Sequence, residues 1–508
     1  MRIDILKKMG LSFLTSVLLL FSFPNFMEPT VDYHTSFLMW AAFVPLICLW
    51  SGIKGEKGSF FYPFISAFVF YAGSLYWMCL VGPMGPAAYP ACAAVCAYFS
   101  LIIAGSFYFS ALAEKKTGIS VLFTLPAILT ISEFAREWFI SGWPILTPAQ
   151  SQNNFTLFMR VLRTFGAPGA NFIIYSTNML IVAFITGEIK KIKKWENILW
   201  ISMLTVIVII TLVPGGKNGL ENTKLKIAAI QRNIDQNVDW TGVYASYTMA
   251  ASKDMYSKLS GIHPDLVIWP ETGYPGILNR DPSGASEIAS WNRQAYSLVG
   301  SDTAILAGNG TDYFNGAYIV TPSGTVSGYY AKHHLVPFGE YIPFQDVLPF
   351  VRKVVQRYGY EGFKSGSLIE PLEFNGIKAG TLICYDSFFP EIARVHARKG
   401  AQFLAHLSYE SWYGHTPASA QIFMNAALRS AECGIYMVRC VESGISGVVD
   451  DTGKIVFHTG LFTKEFFSYD VPVSAKPVLT FYCAHGDIFP CILLAILIAA
   501  AFIKWKMK

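Results

Sequence analysis

The sequence predicts two kinds of structure in one chain: an α-helical membrane bundle of eight transmembrane helices, and a mixed α/β domain inserted between the seventh span and the eighth. Three observations carry this expectation. Of 508 residues, 53% are hydrophobic and only 14% charged, against roughly 25% charged in an ordinary soluble domain. Apolar runs close to the ~20 residues that cross ~30 Å of hydrocarbon crowd the first 213 positions and recur once at the C-terminus. Residues 214–486 change character, to short runs rich in Val, Ile and Tyr. Such a composition excludes a disordered chain. The net charge of +5 is modest for this length and does not suggest nucleic acid, which calls for a concentrated basic face.

The spans fall at about 11–27, 36–53, 60–80, 88–112, 119–140, 169–187 and 196–213, with the eighth at about 487–504. Pro24 and Pro45 interrupt the first two. Basic residues mark alternate connections. Arg2, Lys7 and Lys8 precede the first span, Lys54 and Lys57 follow the second, and Lys115 and Lys116 follow the fourth. Lys190, Lys191, Lys193 and Lys194 follow the sixth, and Lys504, Lys506 and Lys508 follow the eighth. The connections between them are poor in Lys and Arg: EPTVDYHT and GPMGPAAY have none, and 141–168 holds only Arg160 and Arg163. Cytoplasmic loops carry the excess of Lys and Arg. The alternation therefore predicts a multi-pass protein with both termini cytoplasmic and residues 214–486 on the opposite side. The basic, apolar start is reminiscent of a signal peptide, but FSFPNFMEPT offers no small-x-small cleavage site, so the first span is expected to be retained. The expected domains are 1–213, 214–486 and 487–508.

Within 214–486, PGGKNG reads as a linker. The strand candidates are LKIAAIQ, DLVIWPE, TAILAGNG, AYIVTP, KAGTLICYD, AQFLAHLS, YMVRCVES, GISGVVD and KIVFHTG, with helical stretches at 283–299 and 418–433. TPSG at 321–324 and DDTG at 450–453 are turn chemistry and predict two hairpins. The segment is long enough for one buried core. Nine cysteines without a CxxC pair give no disulfide framework. Cys92 and Cys96, one helical turn apart with no His or carboxylate beside them, are expected to pack as small hydrophobes.

Three residues stand where an apolar run ends. Glu271 closes DLVIWPE, Lys332 follows the second strand of a predicted hairpin, and Cys384 lies in TLICYDSFFPE just ahead of a predicted helix. Strand ends of α/β folds converge on sites. A thiol at a strand-to-helix junction is expected to be exposed at the strand end, and the N–H groups that follow can face an oxyanion. A free thiol, with pKa near 8.5, needs such a base or a cation to react. Taken singly, a Glu or Lys at a strand end caps it, and a Cys after an apolar run packs.

The surrounding words make the set specific. WPE at 269–271, K-x-x-L-V-P-F-G-E-Y-I-P at 332–343 and I-C-Y-D at 383–386 resemble the three signature blocks of the nitrilase superfamily. With seven spans before that domain and one after, the whole chain resembles the apolipoprotein N-acyltransferase family. The resemblance implies an αββα sandwich, a catalytic triad of Glu271, Lys332 and Cys384, and support from Glu340 beside the lysine and Trp412 in SYESWYG. Q-x-x-x-N-A-A-L-R-S-A-E at 421–432 and R-C-V-E-S-G-I-S at 439–446 are similar to the family's helix and following strand. Two departures from its pattern stand at three positions: Asp386 replaces a Glu, and Tyr409-Glu410 replaces Asn-Asp.

The implied reaction is acyl transfer. Glu271 takes the thiol proton and Cys384 attacks an ester of a membrane phospholipid. Lys332 and the N–H of Tyr385 hold the oxyanion, and the thioester passes to the α-amino group of a diacylglyceryl-lipoprotein. No metal or other cofactor is implied. The partners are the phospholipid donor, the lipoprotein acceptor and the bilayer, and the place is the bacterial cell (inner) membrane with the catalytic domain periplasmic. A membrane-tethered amidase or hydrolase using water as acceptor, and a lipid-binding protein with a relic site, are the alternative readings.

Other signals are weaker. Residues 344–363 mix apolar side chains with Arg352, Lys353 and Arg357 and read either as a mobile arm at the interface or as an ordinary surface helix and loop. GNGTDYFNG at 308–316 reads as a turn, since no phosphate-loop Lys-Ser/Thr follows. His333 and His334 are adjacent and face opposite ways on a strand. Glu133, Arg136 and Glu137 lie in or near the fifth span, either within the membrane as a functional flag or at its outer edge.

Overall fold

The computed structural model describes residues 2–54, 58–139, 142–188, 222–234, 243–259, 261–307, 310–343 and 362–506, with Ser202, Thr205, Val206 and Ile209. The chain divides into two compact units: Met1–Gly215 with Tyr413–Leu428 and His485–Lys508, and Gly216–Trp412 with Arg429–Ala484.

The first unit is helical: α1 (Arg2–Phe21), α2 (Val44–Gly52), α3 (Gly58–Ser74), α4 (Ala88–Thr117), α5 (Val121–Ala135) and α6 (Leu162–Ile185). Among the described residues, three helices are long and apolar enough to cross a membrane: Gly85–Thr117, Leu162–Ile185 and Ile488–Lys506. The first expected span stops at Phe21, before Pro24. The second is not one helix. A 3₁₀ turn over Ser36–Trp40 gives way to α2, whose first turn holds Pro45, where a missing N–H costs nothing. The third continues past α3 as a 3₁₀ turn, Tyr76–Leu80. The fifth is 15 residues long. The seventh, 196–213, lies outside the described residues except for four positions.

Helix contacts in this unit use small hydroxyls, which let backbones approach and bond across. Ser16 donates to the Ser66 carbonyl at 2.8 Å, and Ser66 to that of Ser12 at 3.0 Å. Glu133 and Arg136 are buried and paired at 2.9 Å, with Tyr71 on Arg136 at 3.0 Å. Residues 413–428 are stitched into the same unit. Trp77 donates to the Gln421 side chain at 3.0 Å, and Gln421 in turn donates to the carbonyls of Pro24 and Ser74. Asn153 and Asn425 add bonds to the Met424 and Pro144 carbonyls.

The second unit runs β1 (Asn222–Gln231), α7 (Val243–Lys258), β2 (Leu266–Ile268), β3 (Tyr274–Ile277), α8 (Pro282–Trp291), β4 (Tyr296–Ala307), β5 (Gly310–Val320) and β6 (Val326–Ala331). It continues with β7 (Leu372–Phe374), β8 (Ile377–Ile383), α9 (Pro390–Arg398), β9 (Phe403–Ser408), the end of α10 (Ala418–Cys433, whose residues up to Leu428 belong to the first unit), β10 (Met437–Val441), β11 (Gly447–Val449), β12 (Ile455–His458), β13 (Glu465–Ser474) and α11 (Phe481–His485). The C-terminal helix is α12 (Ile488–Lys506). One sheet has the order β13-β1-β2-β4-β5-β6 with β3 beside β4, and the other β12-β11-β10-β9-β8-β7.

Strand alternation sorts the core. Leu225, Ile227 and Ala229 of β1, Leu266 and Ile268 of β2, Phe403, Ala405 and Leu407 of β9, and Val438 and Cys440 of β10 share one cluster between the sheets. The opposite residues of the first sheet, Ala228, Ile230, Val267 and Val299, pack with Met255 and Tyr256 of α7 and Ile288 of α8. Each such aliphatic side chain contributes about 1.5–3 kcal/mol on burial. On the second sheet, Gly380 lets α9 settle, because a Cβ there lies 2.8 Å from that of His396.

Both predicted hairpins form: β5–β6 through Thr321–Gly324, and β11–β12 through Asp450–Gly453. Gly324 and Gly453 take φ of +82° and +87°, which a side chain disfavours. Two expectations fail. The helix expected over 283–299 ends at Trp291, and Tyr296 onward is β4. Of the expected turn at 308–316, Gly308 and Asn309 lie outside the described residues, and from Gly310 the chain is strand, paired with β4 from Ala307↔Gly310 to Ser297↔Val320. Cross-strand pairing overrides the Asn-Gly turn signal there.

Candidate active site

Strand direction gathers the chemistry. β1, β2 and β4 are parallel, and β4–β5 and β5–β6 are antiparallel, so β6 runs with β2. Glu271 after β2 and Lys332 after β6 therefore leave the first sheet at the same end. Cys384 and Tyr409 follow β8 and β9, a parallel pair in the second sheet. The Glu271 loop turns through a Gly273 N–H to Pro270 carbonyl bond of 3.1 Å, with Thr272 at φ +47°. It lies so close on β4 that a Cβ at Gly300 falls 2.4 Å from the Pro270 oxygen and 2.9 Å from Glu271 Cα. Only glycine fits there.

Lys332 Nζ lies 3.0 Å from Glu271 Oε1 and 2.9 Å from Glu340 Oε1. Asn315 reaches the same two oxygens, donating at 2.7 and 2.9 Å. The Tyr409 N–H donates to Glu271 Oε2 at 2.8 Å, and the Val336 N–H to Glu340 Oε2 at 2.8 Å. Glu271, Lys332 and Cys384 are all buried. Cys384 opens a 3₁₀ turn over Cys384–Phe388 at φ +48°, a strained value for a residue with a side chain. Burial pushes its thiol well above its ordinary pKa; Glu271 adds to that, while Lys332 and a Ser408 hydrogen bond oppose it. Burial likewise raises the Glu271 carboxyl, against the pull of Lys332. Burial alone lowers a lysine, but Glu271 and Glu340 outweigh it and hold Lys332 well above its usual range. The ammonium stays charged between its carboxylates, and the carboxyl is biased toward holding a proton. That raised proton affinity suits the ionised carboxylate to take a proton from a thiol and give it back.

The remaining expected residues take other places. Asp386 accepts from the N–H groups of Ile383, His333 and His334 at 3.1, 3.1 and 2.8 Å, and from Tyr330 Oη at 2.8 Å. Its carboxylate ties the cysteine turn to the end of β6. The Tyr385 ring packs on Phe388 and Phe389. Trp412 packs on Tyr409 with ring centroids 5.6 Å apart. Residues 344–361, most of the expected arm, lie outside the described residues. Three site neighbours escaped the sequence reading. Asn315 was hidden inside the Asn-Gly pair read as a turn, and only the β5–β6 register, with Lys332 N–H on the Asn315 carbonyl at 2.8 Å, puts it beside the lysine. Ser408 ended an apolar strand without distinguishing marks. Asp302 sits in β4, pushed up to about 6 by burial and then by Glu271 and Glu340.

The carbon-nitrogen hydrolase family matches residues 226–475, which places the site in an enzyme domain of that class. The apolipoprotein N-acyltransferase N-terminal domain matches residues 15–180. A protein of Geobacter metallireducens named apolipoprotein N-acyltransferase is 30% identical over 506 residues, 97% of this chain and 95% of that one. One of Chlorobaculum tepidum with the same name is 27% identical, over 96% and 95%. Among solved structures, a carbon-nitrogen hydrolase from Helicobacter pylori G27 is similar at 17% identity over 50% of this chain and 89% of that one, with a TM-score of 0.38. The chain belongs to the apolipoprotein N-acyltransferase family and carries a carbon-nitrogen hydrolase domain.

Proposed function

We propose that this enzyme moves an acyl chain from a membrane phospholipid, through a thioester on Cys384, to the α-amino group of an N-terminal diacylglyceryl-cysteine. The observation that carries the reading is the buried Glu271–Lys332–Glu340 constellation, whose charges act on the Cys384 thiol. Glu271 accepts the thiol proton as sulfur attacks the ester carbonyl. Lys332 and the Tyr385 N–H stabilise the oxyanion. The C–O bond breaks, lysophospholipid leaves with the proton from Glu271, and the acyl group stays on sulfur. The acceptor amine then attacks the thioester, Glu271 takes its proton, and an amide and the thiol are released. Glu340 and Asn315 hold Lys332 and Glu271 in register.

The membrane arrangement fits the substrates. Acyl chains resist leaving a bilayer by about 0.8 kcal/mol per CH₂, so the catalytic domain works at the membrane surface. Eight spans with both termini cytoplasmic put residues 214–486 in the periplasm, as the alternating basic connections suggest.

The test offers phospholipid vesicles and a synthetic diacylated lipopeptide with a free α-amine to the purified chain. The expected product is the N-acyl peptide, absent when the amine is blocked. Free fatty acid released equally fast with and without the lipopeptide contradicts the transferase and supports a hydrolase with water as acceptor.

A further inference from the structure

Behind Cys384 lies a ring of buried polar side chains that the mechanism does not use. His406, in β9, is fully buried. Its Nδ1 stands 2.8 Å from an Arg439 guanidinium nitrogen, and its Nε2 3.2 Å from the Cys384 carbonyl oxygen. A guanidinium has donors only, so Nδ1 accepts. The single ring proton of the neutral imidazole then sits on Nε2, whose N–H donates to the Cys384 carbonyl. Burial, and after it the charge of Arg439, pushes His406 well below its ordinary pKa and keeps it neutral. Arg439 is itself fixed by the Ile445 carbonyl at 3.0 Å and by the Glu410 carboxylate, which also accepts from Ser408 at 2.8 Å. Ser408 returns the chain of bonds to the Cys384 thiol.

The Cys384 carbonyl takes a second donor, the Ser387 hydroxyl at 2.9 Å. A trans peptide is planar, and its C=O and N–H point in opposite directions; no described peptide bond is cis. Fixing that carbonyl therefore fixes the N–H on the other side of the same plane, which belongs to Tyr385. We propose that His406 is a positioning residue: through the Cys384 carbonyl it aims the Tyr385 N–H at the oxyanion. This deepens the proposed function and rests on its assignment of that N–H.

The experiment uses the full chain with three probes: p-nitrophenyl butyrate for acylation, iodoacetamide for the reactivity of Cys384, and phospholipid vesicles for the complete reaction. Alkylation at an sp³ carbon develops no oxyanion, so it reports the thiol alone. His406→Leu is expected to slow acylation by the ester about 10–100-fold, short of the ~10²–10³-fold cost of deleting an oxyanion donor outright. KM should stay within about 2-fold, and iodoacetamide should react at the wild-type rate. His406→Gln keeps a donor and should recover to within about 5-fold of wild type, and Ser387→Ala should slow acylation about 3–10-fold, the worth of one hydrogen bond. Unchanged acylation in His406→Leu, or an equal loss of alkylation, overturns the inference. If His406→Leu does not fold, wild-type acylation in Ser387→Ala overturns it, and slowed acylation with normal alkylation supports it. A wild type that reacts with the ester but not with phospholipid removes the lipid-donor reading and leaves the inference tested. One that reacts with neither removes both.

Discussion

Glu271 and Asp386 are both buried carboxylates, both are raised chiefly by burial, and they stand at the two ends of the same problem. Asp386 is saturated by three backbone N–H groups and a tyrosine hydroxyl. Backbone donors cannot move away, so this carboxylate is a clasp that fixes the cysteine turn against the residues that follow Lys332. Glu271 has one backbone donor, an amide and a lysine shared with Glu340. Its other partners are side chains that adjust as a proton comes and goes. A carboxylate bound to fixed donors holds structure, whereas one bound to an ammonium shared with a second carboxylate is equipped for proton transfer.

The substitutions that separate the two differ in kind. Glu271→Gln should lower acylation by ~10²–10⁴-fold, the usual worth of a general base, with the urea midpoint of unfolding unchanged or raised. Asp386→Ala should do the reverse in order of cause: it strands four donors, two of them fully buried, costs about 3–5 kcal/mol of stability, and loses activity because the turn is no longer held. A denaturation curve distinguishes them; equal destabilisation by both breaks the comparison.

The pH dependence sharpens it. As the proposed base, Glu271 would act only when ionised, and its folded pKa is raised, so the acid limb of kcat/KM should lie above the ~4.3 of an ordinary glutamate. For stability the sign is opposite to that of a paired surface carboxylate. Between the unfolded value and the raised folded one, the native state holds the extra proton. Stability from this group is therefore highest at low pH and falls as pH rises through that window. Glu271→Gln should abolish both effects. A smaller change is expected from Asn315→Ala, about 10-fold in acylation at neutral pH for one bond to a charged group. Its limb should move to higher pH, because Asn315 favours the ionised carboxylate. Smallest is Asp302→Asn, whose limb should move down slightly, because the Asp302 charge opposes that of Glu271.

What could be read from the sequence follows the same division. Glu271, Lys332 and Cys384 each end an apolar run, and a strand end is a local feature. Their partners are not local. Asn315 pairs with Lys332 through a register between strands, and Asp386 is held by N–H groups more than fifty positions earlier. His406 and Arg439 occupy the alternate positions of strands whose other face is core, where composition alone reads as apolar. In the helical unit, hydropathy found apolar runs but not where they break. The run at 36–53 is uniformly apolar, yet helix α2 begins only at Val44, and Trp40 turns aside to donate to the Gln152 side chain at 2.8 Å.

The most direct test is peptide mass spectrometry of the full chain after exposure to phospholipid vesicles without acceptor. The account predicts one acyl group, on Cys384, formed by wild type and by Asp302→Asn, slowed severely in Glu271→Gln, and discharged on adding the lipopeptide amine. An acyl group found on another residue, or acyl transfer that persists in Cys384→Ala, contradicts it.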